Sequence, residues 1–238
     1  MSSDSRTILI TGAAGGLGAA LSHEFVAMGF NTVMSDKNVK GLESVWDSIV
    51  DAGFREPFLH PMDLATAGPE QFNLLTEAIM SEFGALDGVI HCAACFKGLR
   101  PLDQVSPVEW LEQIQVNLNA PWLLSIACLP FLKQSEKSFL YFILEDLEKM
   151  KGAYWGAYGA SKRALTAVVH QFSAETEPAS VQVLGICPGP MASALRAEAY
   201  HAEDPGNVPQ PSSAAKAICR LLSDNSKNAG VIVDLESP

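Results

Sequence analysis

Tyr158 and Lys162 stand four positions apart at the end of the stretch YFILEDLEKMKGAYWGAYGASK, residues 141–162. In a helix that spacing puts both side chains on one face, a turn apart. An ammonium group beside a phenol favours the phenolate, which brings a tyrosine toward proton transfer near neutral pH. Upstream lie Glu145, Asp146 and Glu148, and a carboxylate close to the phenol acts in the opposite sense. At about 4 Å and an effective dielectric near 20, it would oppose a phenolate by roughly 4 kcal/mol, on the order of three pKa units. The chemistry these residues imply is proton transfer, with an acidic neighbour that hinders it when ionised and could donate like a hydroxyl when protonated.

A second group of residues points to a nucleotide. The first apolar run leads into TGAAGGLG, where Gly12, Gly16, Leu17 and Gly18 open a helix. Glycines allow a tight turn and close approach of the backbone to a pyrophosphate, and the helix start offers N–H groups and a favourable dipole. Asp36 ends the next apolar run, the context in which such a loop binds a dinucleotide. A carboxylate there accepts hydrogen bonds from ribose hydroxyls and repels a 2′-phosphate. NAD(H) is therefore expected over NADP(H), although Lys37 is adjacent and could offset that repulsion.

These groups need a scaffold, and the pattern supplies one. Strands are expected at 7–11, 31–35, 57–61, 88–92, 138–144, 181–187 and 230–234, with helices at about 16–28, 39–52, 69–83, 107–132, 155–175 and 212–223. Apolar strands separated by helices predict an α/β fold, a doubly wound parallel sheet of about seven strands covered on both faces. No linker or repeat divides the chain, so residues 1–238 are expected to form a single domain. The long connection from Pro188 to Pro211 follows the sixth strand, at the ligand-binding edge of such a sheet. Its length predicts a substrate lid at about 190–211 or a short helix within it.

The totals narrow the class. A 48% hydrophobic fraction in 238 residues is ample for a core, and the net charge of −11 argues against a nucleic-acid surface. No apolar run of about 18 residues is uninterrupted, so no membrane association is expected; the run 120–132 reads as a buried or interface helix. No secretion signal is seen, which makes a cytoplasmic location and five reduced cysteines the expectation. Cys92 and Cys95 have redox-motif or zinc-ligand spacing, but no second pair completes a metal set. They read as small residues closing a strand.

Taken together, TGAAGGLG, YGASK and PGP resemble the short-chain dehydrogenase/reductase family, in its order and spacing, over essentially the whole chain. The resemblance implies a Rossmann domain, a nicotinamide cofactor, and hydride exchange between a carbonyl and a hydroxyl on a small molecule. It makes Tyr158 the general acid/base, and Lys162 the residue that lowers the tyrosine pKa and binds the nicotinamide ribose. Asn117, after Val116, would support a proton-relay water, Asp63 would contact the adenine, and Pro188 and Gly189 would lie beside the nicotinamide. Ala93 falls in HCAA, residues 91–94, where the family has Asn-Asn-Ala-Gly. His91 there could be a base, but a hydrogen-bonded structural role is preferred. The family's serine, 13 residues before the tyrosine, falls on Glu145, with Asp146 adjacent. Two functions follow: an oxidoreductase with a degenerate serine position, or an NAD(H)-binding protein with little turnover that senses or assembles. A homodimer or homotetramer pairing through the 107–132 and Tyr158 helices is implied as well.

Overall fold

The computed structural model describes residues 5–176, 181–222 and 231–235. Seven parallel strands form one sheet in the order β3-β2-β1-β4-β5-β6-β7. They are β1 (Thr7–Thr11), β2 (Asn31–Asp36), β3 (Phe58–Pro61), β4 (Gly88–His91), β5 (Ser138–Ile143), β6 (Val181–Cys187) and β7 (Ile232–Asp234). The strand order reverses direction between β1 and β4, and a crevice opens there beyond the strands' carboxyl ends.

Alternation along the strands explains why both faces are covered. Ile8 and Ile10 turn to one side, with Leu21 and Phe25 of α1 (Gly16–Ala27), Leu42 and Ile49 of α2 (Val39–Asp51), and Ile218 of the C-terminal helix. Leu9 turns to the other, with Phe72 and Leu75 of α3 (Pro69–Phe83) and with the helices that follow β4 and β5. The sheet is therefore a sandwich filling, and the expected doubly wound arrangement is the one observed.

The expected helix over 107–132 is interrupted. It consists of α4 (Pro107–Ile114), a π-helical turn at Gln115–Asn119, and α5 (Ala120–Leu132). The Ala120 N–H reaches back to the Gln115 carbonyl. Pro121 supplies the reason: it has no N–H to return to the Asn117 carbonyl in α-helical register, and its ring crowds that carbonyl. Leu124, Cys128 and Leu132 of α5 face the core, while Trp122 and Ile126, with Val108 and Leu111 of α4, are exposed. By length and composition alone the 26-residue run would pass for a membrane span; its apolarity is divided between the core and this exposed strip.

Helix α6 (Gly156–Glu175) carries the tyrosine and lysine, and α8 (Pro211–Arg220) packs against α1. The expected strand over 230–234 shortens to β7, with Gly230 outside the described residues, as is residue 223 of the expected 212–223 helix. The 190–211 connection is not structureless: it holds α7 (Ala194–Ala199) and a 3-10 turn at Pro205–Asn207. Ser193 caps α7 by accepting from the Arg196 N–H, and Arg196 pairs with Glu203.

Candidate active site

A cavity of about 650 Å³ runs over the carboxyl ends of the strands, from the glycine loop to the segment around α7. At its first end the walls are largely backbone. Gly12 has φ +70°, and a Cβ there would lie 2.7 Å from the Ala93 Cα. Gly18 is tighter still, since a Cβ would sit 2.1 Å from the Gly12 carbonyl oxygen. Glycine at these positions is thus what lets the loop, α1 and the end of β4 pack together. Helix α1 starts at a glycine N-cap with no side-chain cap, leaving its first turn to bind an anion.

Asp36 lines this end and is braced by two backbone donors, Ala14 N–H at 3.1 Å and Asn38 N–H at 2.9 Å. Lys37, Asp63, Ala93, Pro188 and Gly189 line the same cavity. Asp63 accepts from the Ala65 N–H at 3.0 Å. The donor set, the uncapped helix start and the cavity's length fit a dinucleotide.

The second end is made of side chains. Tyr158 and Lys162 are buried, 1% and 3% exposed. Lys162 Nζ lies 5.7 Å from the centroid of the tyrosine ring and donates to the Ile143 carbonyl at 2.8 Å. The Tyr158 hydroxyl donates to Glu145 Oε1 at 2.7 Å. Burial holds the phenol well above its ordinary pKa, and the Glu145 charge and hydrogen bond push it in the same direction. Burial lowers the Lys162 pKa, partly opposed by Glu145. The acidic neighbour therefore reaches the phenol and works against its ionisation.

Asp146 does not compete for that place. Its Oδ1 accepts from the N–H groups of Glu148 and Lys149 at 2.9 and 3.3 Å, and its other oxygen pairs with Lys149 at 3.5 Å. It caps its own turn, which leaves Glu145 as the side chain facing the tyrosine. The Glu145 main chain is held from the other side by the Cys187 thiol, which donates to its carbonyl at 3.4 Å.

Asn117 sits in the π-helical turn with its side chain occupied. Oδ1 accepts from the Cys95 N–H at 2.7 Å, and Nδ2 donates to the Cys95 carbonyl and to Ser161 Oγ at 2.8 and 3.1 Å. The side chain thereby clamps the segment after β4 onto α6. His91 is buried, stacked on Phe142 at 4.8 Å, with Nε2 2.9 Å from Ser125 Oγ. Ser125 gives its own proton to the Pro121 carbonyl, so His91 Nε2 is the donor in that pair. Burial and Lys162 lower the His91 pKa to about 3. Cys92 and Cys95 are unpaired thiols, and no cluster of metal ligands occurs among the described residues.

Sequence reasoning missed the aromatic wall. Phe96 lies 5.2 Å from Tyr158 and 5.9 Å from Trp155, centroid to centroid, and Trp155 is 6.2 Å from Tyr200. Trp155 directly before the glycine that opens α6 was the available signal. Tyr154, just before it, is the one non-glycine at positive φ among the described residues, at +79°, a strained position beside the site.

Residues 6–204 match the model of the short chain dehydrogenase family. The chain belongs to that family. The oxidoreductase YciK of Escherichia coli K12 is 31% identical over 222 residues, covering 93% of this chain and 88% of its own. A short chain dehydrogenase from Escherichia coli CFT073, solved in complex with NADPH, superposes with a TM-score of 0.92 at 29% identity over the whole of both chains. Another from Shigella flexneri, complexed with NADP, gives 0.90 at 30% identity over 96% of this chain and 95% of that one. As a member of this oxidoreductase family, the chain is built to hold a nicotinamide cofactor.

Proposed function

We propose that the chain is an NAD(P)(H)-dependent oxidoreductase that interconverts a carbonyl and a hydroxyl on a small molecule. The observation that carries this reading is one cavity joining an anion-binding glycine loop to a buried Tyr158–Lys162 pair. Gly12, Gly16, Leu17 and Gly18 would hold the pyrophosphate, Asp36 a ribose, Asp63 the adenine, and Lys162 the second ribose. Ala93, Pro188 and Gly189 would border the nicotinamide. The bound cofactor supplies or accepts the hydride. Tyr158 gives the proton to a carbonyl oxygen, and to do so it must release Glu145. Any relay through Asn117 runs through its main-chain carbonyl, since the side chain is engaged.

We favour NAD(H) because the Asp36 carboxylate faces the ribose position. Lys37 on the same wall, with NADP and NADPH in the solved relatives, favours NADP(H) as the second reading. Calorimetric titration with NADH and NADPH decides between them, and tighter NADPH binding would overturn the preference. A low-turnover binder is supported by the tyrosine proton already held by Glu145. Cofactor oxidation against a panel of ketones and aldehydes separates the two functions, since a binder retains affinity and oxidises nothing. Residues 190–211 act in this reading as a lid on a single cytoplasmic domain. The exposed strip of α4 and α5 pairs copies into a dimer or tetramer, and light scattering at the 25.5 kDa monomer mass would contradict that.

A further inference from the structure

At the substrate end of the cavity the proton of the expected donor is already engaged. A carbonyl oxygen can only accept, yet the tyrosine proton is directed at Glu145. Each nearby cation is also occupied: Lys149 pairs with Asp146, Arg196 with Glu203, and Lys97 with Glu112. Lys162 is bonded to the Ile143 carbonyl. Glu145 makes no ion pair within 4 Å among the described residues, its charge acting on Lys162 and Arg196 from further off, and only Oε1 takes a hydrogen bond there. Phe96, Trp155, Tyr158 and Tyr200 line the same cavity as Glu145, and their rings contact one another in series. Aromatic faces and a carboxylate with one oxygen open attract a cation, and a carboxylate accepts from an N–H.

We infer that this site selects a protonated imine, a cationic C=N–H group on a small ring compound, and that Glu145 is the residue that selects it by accepting the N–H. The inference rests on the oxidoreductase reading and names its substrate class. The electron balance agrees with the geometry. On taking a hydride at carbon, the imine forms one C–H bond, its C=N π pair becomes a nitrogen lone pair, and the product is a neutral amine. The dihydronicotinamide is the reductant that is oxidised. A ketone reduced in the same way becomes an alkoxide and needs the Tyr158 proton; the protonated imine needs none, so Tyr158 can keep its bond to Glu145.

The test pairs a cation with a neutral compound of the same size. Tetrahydroisoquinolinium, the amine product in its protonated form, and 1-tetralol are titrated calorimetrically, with and without the dinucleotide. The ammonium is expected to bind at least about ten-fold tighter, and Glu145→Gln, near-isosteric and uncharged, should erase that advantage while thermal melting confirms its fold. In turnover, 3,4-dihydroisoquinoline should be reduced faster than 1-tetralone, and Tyr158→Phe should lower the ketone rate far more than the imine rate. Equal binding of the neutral compound, or a preference that survives Glu145→Gln, overturns the inference. A protein that binds neither dinucleotide overturns the oxidoreductase reading instead, while the titration without dinucleotide still reports the cation preference.

Discussion

The two ends of the cavity present hydrogen-bonding groups in different ways. At the dinucleotide end the donors are backbone N–H groups at a helix start, and the glycines that bring them together have no rotamers to set. At the substrate end everything depends on side chains whose partners lie far apart in sequence: Tyr158 on Glu145, Asn117 on Cys95 and Ser161. A site made of backbone tolerates little variation in residue type, whereas one made of side chains can change its chemistry through one substitution. Glu145 is such a change, placed where the relatives' resemblance implies a serine.

The largest effect should come from the side-chain end. Tyr158→Phe removes the proton donor and is expected to lower ketone reduction by about 10²- to 10⁴-fold, with cofactor affinity unchanged in a calorimetric titration. If affinity fell equally, the two ends would not be separable.

Gly18→Ala should act at the other end alone. Its Cβ would meet the Gly12 oxygen at 2.1 Å, so the loop must shift, and dinucleotide affinity is expected to fall on the order of 100-fold. A cost of about 1–3 kcal/mol in thermal or urea unfolding should accompany it.

A smaller effect, of opposite sign, is expected from Glu145→Ser. With the charge removed and a donor restored, ketone reduction should rise about ten-fold, on the order of 1.4 kcal/mol of barrier. Alcohol oxidation needs the phenolate. Because the Tyr158 pKa is raised by burial and by Glu145, that rate should climb with pH throughout pH 7–10 in the native protein. In the variant the climb should begin at lower pH, and an unmoved profile would show that Glu145 does not control the phenol. Asp146→Asn gives the least change: ketone reduction within about two-fold, and a loss of about 1 kcal/mol or less as its turn weakens.

Legibility in the sequence follows the same division. Strand alternation and the glycine loop are local patterns, and the element types and a doubly wound parallel sheet were readable from them. Asp36 and the Tyr158–Lys162 spacing were readable for the same reason. Part of what escaped is local but carries no signature in residue type, and the rest depends on distant contacts. The π-helical turn comes from Pro121 acting on residues before it, and its proline was visible although its effect was not. The choice between Glu145 and Asp146 was settled by which of them capped a turn. The aromatic wall joins Phe96, Trp155 and Tyr200, which no periodicity connects.

The position of β1 inside the sheet, between β2 and β4, also bears on the order in which the chain can assemble. Emerging first during synthesis, β1 finds β2 on one side early, but its other neighbour, β4, comes about 80 residues later; Asp87, just before it, accepts the Thr7 N–H across that span. From residue 91 onward the nascent chain holds β1 to β4 and the complete glycine loop, while Glu145 and Tyr158 are not yet made. The outer edge of β4 stays unpaired until β5 arrives, a template for wrong strand pairing. A fragment ending near residue 95 is therefore expected to aggregate.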